Sequence, residues 1–289
     1  MAAVTTAVTA TAPKGIAGRA LGNRSLMAGL VILALIVIVA VLAPWIAPFD
    51  PNDQDPVLSL GPPSVDHWFG TDFFGRDVLS RVIWGARVSL FVGAVSTAIS
   101  MLVGGTIGIV SGYLGGRFDQ AVMAVMDVLL SFPQLIMGLI IVALLGANLG
   151  DLILAISITA VPPFARVARG PTLSLKERDF VEACRALGFS NGRIMLVHIL
   201  PNVLDDLIVM GSLWLATAIR TEASLSFIGL GLPPPTATWG SIIREGFENL
   251  LDAPWLAVFP SLAVLVVMLA LNMIGEGLRD ATDPKAAVS

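Results

Sequence analysis

Long apolar runs separated by shorter polar stretches dominate the chain. A helix needs about 20 mostly apolar residues to cross the roughly 30 Å hydrocarbon core of a bilayer. Six stretches reach or approach that length, although the fourth is short and the fifth contains ionisable residues. The pattern therefore predicts an all-α integral membrane protein with six transmembrane helices, at Leu26–Ile46, Val88–Gly116, Gln120–Gly146, Leu152–Ala165, Leu204–Leu230 and Trp255–Ile274.

Composition supports this class and narrows the chemistry. The 289 residues are 56% hydrophobic and only 13% charged, whereas soluble domains are about 25% charged. A net charge of −4 without a basic stripe indicates no nucleic-acid partner. Cys184 is the only cysteine, which rules out an intramolecular disulfide or a cysteine metal cage. We accordingly expect no metal site.

Positive charge sets the expected orientation, because cytoplasmic loops carry an excess of Lys and Arg. If the N-terminus is cytoplasmic, Arg220 lies within a span and only four of the 17 Lys and Arg residues lie outside: Arg76, Arg81, Arg87 and Arg244. The other twelve lie inside. The sequence thus predicts that both termini are cytoplasmic and that the loop between the fourth and fifth spans faces the cytoplasm.

The predicted organisation follows from these spans. Residues 1–25 form a cytoplasmic tail, 26–47 the first transmembrane helix and 48–87 an external loop. Residues 88–280 form a core of five transmembrane helices that includes a cytoplasmic loop, 166–201. Residues 281–289 form a cytoplasmic tail.

Two polar segments show helical spacing of their apolar residues. In GRDVLSRVIWGAR, at 75–87, the spacing predicts a separate amphipathic helix that either lies in the membrane interface or packs on another subunit. The spacing at 239–251 predicts a second such helix. This one is either an external gate or docking helix, or an interfacial helix in the headgroups.

The loop FVEACRALGFSNGRIMLVHILPN, at 180–202, predicts a helix, a turn and a second short helix. One face of the first helix carries Arg178, Glu182 and Arg185 within ion-pair reach. The opposite face carries Phe180, Ala183, Cys184 and Leu187. Gly188 suits the turn, Ser190 suits a helix cap, and Pro201 predicts a break before the fifth span. A folded loop of this length is typical of a docking surface.

At these residues the chain resembles a known family. Glu182-Ala183-Cys184, Gly188 and Leu200-Pro201 are similar to the EAA loop of ABC importer permeases, with Cys184 where that pattern has Ala. Further stretches are similar to the C-type permease of dipeptide, oligopeptide and nickel importers. They are FGTDFFGRDVLSRVIWGARVSL (69–90), MDVLLSFPQLI (126–136), HILPN (198–202), EASLSFIGLGLPPPTATWG (222–240) and EGLRDATDP (276–284). The resemblance spans about 26–284.

The resemblance implies a type I ABC importer permease fold in a bacterial inner membrane. It implies that 166–201 is a coupling loop docking on separate ATPase subunits, with Glu182, Ala183, Cys184, Gly188, Leu200 and Pro201 at its centre. On this reading the Glu182 face makes polar contacts with the ATPase and the apolar face packs against the permease body. It also implies a second, related permease, two ATP-binding subunits or domains and an extracytoplasmic substrate-binding protein. The expected cargo is short peptides, with nickel or another small solute as the alternative.

An energy source within the chain is not expected. A phosphate-binding P-loop needs Gly-Lys followed by Ser or Thr, but Lys14, Lys176 and Lys285 follow Pro13, Leu175 and Pro284. ATP and Mg²⁺ should therefore bind to partner chains. The rival hypothesis is a proton-coupled secondary transporter, since intramembrane ionisable residues mark proton relays. The candidates for that role are Asp127, Arg220, Glu222 and Glu276, and the first three are also candidates for contact with the translocation path or a partner.

A membrane-embedded enzyme is a third class. The two histidines, His67 and His198, fall on opposite sides of the membrane in the predicted topology, so they cannot share a metal. No HExxH or GxSxG motif occurs. We therefore predict a non-catalytic subunit.

Overall fold

The computed structural model describes residues 22–282, which are mostly helical apart from a long irregular segment between Ile46 and Val78 that contains one short 3-10 turn, Pro56–Leu58. The helices are α1 (Arg24–Val41), α2 (Ala43–Ile46), α3 (Val78–Leu114), α4 (Gly116–Leu130), α5 (Gln134–Leu145), α6 (Leu149–Leu175), α7 (Asp179–Ala186), α8 (Asn191–Ile194), α9 (Leu200–Ile228), α10 (Trp239–Glu248) and α11 (Trp255–Thr282). A π-helical turn, Met195–Ile199, joins α8 to α9. The described residues contain no strand, only an isolated bridge between Thr71 and Asp77. Most of the two predicted tails lies outside the described range.

Five of the six predicted spans are matched by single helices of membrane-spanning length. Five helices are long and apolar enough to cross a membrane: α1, α3, α6, α11 and the continuous helix Asn191–Ile228. The predicted span Gln120–Gly146 falls on the pair α4–α5, which is long and apolar enough only as a pair and bends by 90° at the break between Leu130 and Gln134, the geometry of a broken span or a re-entrant loop. Pro133 lies in that break and has no N–H to continue the helical hydrogen bonds.

The helices α3 and α6 share the most extensive contact among the described helices, and small residues line it. A Cβ on Gly108 would lie 2.2 Å from the carbonyl oxygen of Ala165, and one on Gly104 would lie 2.5 Å from that of Val161. Ser100 also donates a hydrogen bond across the pair to the Ser157 carbonyl, at 3.0 Å. Such small-residue contacts let two membrane helices pack backbone to backbone.

Gly108→Val is expected to destabilise this pair, because backbone atoms of α6 cannot move away from the new side chain. Overpacking of this kind costs about 1–3 kcal/mol and sometimes more. The denaturation midpoint of the purified protein in detergent checks this. Gly170→Val is the control, since a Cβ on Gly170 of α6 meets nothing within 4 Å. Equal midpoints for the two variants would contradict the packing argument.

The helix predicted at 75–87 is present from Val78 onwards, but it continues without a break into the following span. The segment forms the first turns of α3, which begins at Val78 with the Asp77 carboxylate accepting a hydrogen bond from Ser80 N at 2.7 Å. Val78 and even Arg81 are buried. Arg76 and Arg81 are buried because acidic side chains neutralise them inside the protein, whereas Arg87 is exposed.

The prediction of a break before Pro201 is wrong. The helix runs through this proline, and the turn before it is π-helical, with Leu200 N bonded to the carbonyl of Met195. A π turn shifts the hydrogen-bonding pattern by one residue. The helix can therefore continue through Pro201 although this residue has no N–H to donate.

The predicted helix near 239–251 is present as α10 and is packed into the body of the protein. Thr238 and Ser241 form a reciprocal capping box at its start. The indole of Trp239 is 1% exposed and donates a hydrogen bond to the Val82 carbonyl of α3 at 3.0 Å. Burial of Trp239 and Ile242 fixes α10 against its neighbours.

Candidate functional site

The turn of the predicted helix–turn–helix is a Schellman motif centred on Gly188. Gly188 has a φ of +79°, a left-handed conformation that residues with side chains rarely adopt. Its N–H bonds to the Arg185 carbonyl and the N–H of Phe189 bonds to the Cys184 carbonyl, both at 3.0 Å. The predicted turn at Gly188 is therefore confirmed.

The second helix begins as the sequence predicts. The Ser190 hydroxyl accepts a hydrogen bond from Arg193 N at 3.4 Å and so caps α8. Ile194 is fully buried and packs with Val181 and Cys184 of α7. The two short helices thus share one core with the long helices beneath them.

The faces of α7 differ from the prediction. Val181 and Cys184 point into the protein, whereas Phe180, Ala183 and Leu187 are exposed, Leu187 by 74%. The predicted apolar face therefore faces outward except at Cys184, because α7 is rotated to bury Val181. The result is a partly apolar surface on the outside of the loop, continued after the turn by Leu196 and Val197.

The predicted ion pairs along α7 are absent from the described part of the chain. Arg185 instead lies over the ring of Tyr113 at the end of α3, 5.4 Å from the centroid, and the Tyr113 hydroxyl donates to the Asn191 side chain at 3.1 Å. An arginine stacked on an aromatic ring is a favourable cation–π contact. Glu182 is exposed and has no salt-bridge partner among the described residues. We call this outer surface, made of Phe180, Glu182, Ala183, Leu187, Leu196 and Val197, the loop surface.

Leu200 and Pro201 follow the loop surface directly in the chain. Leu200 is half-buried and Pro201 is exposed, and both begin α9 after the π turn. The loop surface is therefore joined to the longest continuous helix of the described residues, without an intervening flexible segment.

The three candidates for contact with the translocation path do not form one site. Asp127 of α4 pairs with Arg166 of α6, with 2.5 Å between Oδ1 and Nη2. Glu222 is fully buried in α9 and accepts a hydrogen bond from the Ser226 hydroxyl at 2.8 Å. Arg220 is exposed on another side of that helix. No proton-relay chain links the three residues.

A buried charge cluster at the other end of the molecule escaped the sequence analysis. Arg76 contacts Asp72 and Glu245 at 2.7 and 3.2 Å, and Arg81 contacts the same two carboxylates at 3.3 and 2.9 Å. Asp72 is fully buried. Burial raises the pKa of Glu245, and the two guanidinium groups oppose that shift. The spacing of four residues between Asp72 and Arg76 is typical of a local ion pair. No pattern in the sequence, however, links this pair to Glu245.

Among the described residues no group of three or more His, Cys, Asp or Glu side chains is arranged to hold a metal ion. His67 bonds to Asp77 at 3.0 Å and stacks on Phe49, while His198 stacks on Phe189. These contacts give both histidines local structural roles.

A bundle of apolar helices of membrane-spanning length, with a folded and exposed helix pair between two of them, is the architecture of a multi-pass membrane protein. The chain belongs to the family of binding-protein-dependent transport system inner membrane components, whose family model matches residues 104–288. A second model, the N-terminal TM domain of oligopeptide transport permease C, matches residues 18–63. The resemblance noted from the sequence is thereby confirmed. Membership implies a partner permease and ATPase subunits, and permeases of this family are typically non-catalytic.

Relatives and a solved structure agree with this family. The chain is 40% identical to the dipeptide transport system permease protein DppC of Alkalihalophilus pseudofirmus, over 91% of this chain and 86% of that protein. It is 41% identical to the glutathione transport system permease protein GsiD of Escherichia coli O6:K15:H31, over 90% and 86%. An inward-facing structure of the MetNI methionine ABC transporter covers 70% of this chain and 97% of that chain, with a TM-score of 0.58 and 18% identity. The structural likeness confirms the predicted permease fold.

Proposed function

We propose that this chain is the C-type permease of an ABC importer for short peptides and that the loop surface docks on its ATPase subunits. The observation that carries the proposal is the division of the loop into a buried and an exposed side. Val181, Cys184 and Ile194 fix it to the protein, while Leu187 is 74% exposed. Exposed apolar residues beside an exposed carboxylate are typical of a docking surface. The names of the relatives support peptide as the cargo.

The proposed assembly contains a second, related permease, two ATP-binding subunits or domains and an extracytoplasmic binding protein. ATP and Mg²⁺ bind to the ATPase subunits. Closure of those subunits moves the loop surface, and Gly188 keeps the angle between α7 and α8 fixed so that both move together. A rigid element with two positions that nucleotide can bias is what such coupling requires. Glu182 supplies the polar contact, and Leu200 and Pro201 carry the motion into α9.

A cysteine at position 183 tests the docking. Ala183 is exposed, whereas Cys184 is buried beside it, so the variant Ala183→Cys/Cys184→Ala moves the only thiol to the surface. Maleimide should label it rapidly in the isolated permease. Labelling should slow by about tenfold or more when the ATPases assemble, because an interface excludes the reagent. Equal rates in the two preparations would refute docking at this surface.

The same labelling approach tests the proposed orientation, in which both termini are cytoplasmic. Leu251 is 97% exposed just beyond α10, and the proposal puts it on the outer side. In sealed vesicles of known orientation, an impermeant maleimide should label Leu251→Cys/Cys184→Ala from the outside and Ala183→Cys/Cys184→Ala only from the inside. The reverse pattern would overturn the orientation and the docking proposal with it.

A further inference from the structure

A cavity of about 420 Å³ lies beside α10, at the other end of the helix Asn191–Ile228 from the loop surface. This helix starts within the loop and stops at Gly229, which lines the cavity. Residues of α3, α9 and α10 and of the segment after Gly229 contribute to the lining. The volume lies within the range of small-molecule sites. We call this space the α10 cavity.

The charged side chains that line the α10 cavity balance one another. They are Arg81, Arg244, Glu245 and Glu248. Both carboxylate oxygens of Glu245 already accept hydrogen bonds, from Arg76 at 3.2 Å and from Arg81 at 2.9 Å, and Arg244 pairs with Glu248 at 2.9 Å. An ion with a net charge would remain uncompensated in such a lining. The cavity therefore suits a ligand whose charges sum to zero.

The guanidinium of Arg81 has donors to spare. Its Nε and Nη1 are buried and make no hydrogen bond within the described part of the chain, although Nε lies 3.3 Å from the Asp72 carboxylate. A buried donor is costly to leave without an acceptor, and a carboxylate is the strongest acceptor for a guanidinium. Because Arg81 lines the cavity, the carboxylate of a ligand inside it can meet this donor.

Exposure distinguishes the floor of the α10 cavity from its rim. Arg81 is 1% exposed, whereas the side chains of Arg244 and Glu248 are 47% and 57% exposed. An exposed ion pair contributes little stability, so the rim pair opens readily for a competing charge. Glu245 is held by two guanidinium groups, which leaves Glu248 as the carboxylate that can receive a cation. The cavity thus has an anion-binding floor and a cation-binding group at its rim.

We propose that the α10 cavity receives a short peptide with its C-terminal carboxylate on Arg81 and its ammonium group on Glu248. The proposal rests on the proposed function, which puts this cavity on the outer side, and adds where and in which direction the peptide enters. A peptide with two free ends carries opposite charges that sum to zero, as the lining requires. Phe74, Leu232 and Pro233 also line the cavity and offer apolar contacts to its side chains.

The test measures peptide protection of a thiol in the α10 cavity. Ala147 lines the cavity and is exposed, so Ala147→Cys/Cys184→Ala places the only thiol of this chain there. The importer complex in detergent, without its binding protein, is treated with a maleimide. L-alanyl-L-alanine should slow the labelling, whereas the same dipeptide with an acetylated N-terminus and an amidated C-terminus should not. Glu248→Gln should raise the concentration for half-protection by about tenfold or more, since it removes one charge contact.

Singly blocked peptides test the direction of the bound peptide. The acetylated dipeptide lacks the ammonium group and should lose nothing further in Glu248→Gln. The amidated dipeptide lacks the carboxylate and should lose nothing further in Arg81→Met/Glu245→Leu, which keeps the charges balanced. The matched control is the exposed pair Asp127–Arg166, whose cavity shares no lining residue with the α10 cavity. Asp127→Asn and Arg166→Gln should leave protection unchanged.

Two results would overturn the receiving site. One is equal protection by free and doubly blocked peptides. The other is protection by the peptide-free binding protein but not by the dipeptide, which would assign the cavity to a docking segment of that protein. ATP-driven uptake by the original complex with its binding protein separates this proposal from the proposed function. Uptake of the dipeptide without protection refutes the receiving site alone, whereas failure to take up any short peptide counts against the proposed function.

Discussion

Replacing Arg81 by Met is expected to lower the free energy of unfolding by about 3–5 kcal/mol, because breaking a buried ion pair leaves an uncompensated charge. Arg81 is 1% exposed and neutralises part of the charge on Asp72 and Glu245. Without it, two carboxylates share the single guanidinium of Arg76. Denaturation of the purified protein in detergent, followed by its midpoint and slope, measures the loss.

A charge-balanced double variant separates the buried charge from the lost packing. Arg81→Met/Glu245→Leu removes one positive and one negative group and leaves the Asp72–Arg76 pair, with 2.7 Å between its atoms. Replacing paired charges by apolar groups is often neutral, so the double variant should recover most of the stability. Arg244→Met, at an exposed pair, should change it little. A double variant less stable than Arg81→Met would show that unpaired charge is not the cause.

Gly188→Val is expected to abolish most uptake while the protein still inserts into the membrane. Valine resists the φ of +79°, so the turn must open and change the angle between α7 and α8. The left-handed conformation costs about 1–2 kcal/mol or more for a residue with a side chain, and relieving it displaces the loop surface. ATP-driven uptake in vesicles should fall by about tenfold or more, with hydrolysis by the ATPases retained.

Gly192→Val is the matched control. A Cβ at either glycine meets nothing within 4 Å, but only Gly188 has a positive φ. The two variants therefore differ in backbone conformation and not in crowding. Uptake in Gly192→Val should stay near the original value. If Gly188→Val transported equally well, the fixed angle of the turn would have no part in coupling.

The elements predicted well from sequence are those set by local chemistry. Span positions follow from apolar length, the turn at Gly188 from the freedom of glycine, and the cap at Ser190 from its hydroxyl. These features depend on neighbours within a few residues. Pro133 likewise marks a break, although nothing local sets the bend of 90°.

The features that escaped prediction depend on distant partners. The start of α3 seemed amphipathic because Arg81 looked solvent-exposed, and only the fold brings Glu245 to it. The exposed side of α7 was misassigned because the choice between burying Val181 and burying Phe180 depends on the helices beneath. Pro201 looked like a helix end because a π turn leaves no mark in the sequence.

The unbroken helix Asn191–Ile228 has a mechanical consequence. Its 38 residues form a rod about 57 Å long at the helical rise, reaching from the loop surface to the left-handed Gly229 near α10. Tilting such a lever by about 10° about one end displaces the other by about 10 Å. A modest rotation at the loop surface would therefore displace the opposite end of the helix directly, with no relay of small rearrangements in between.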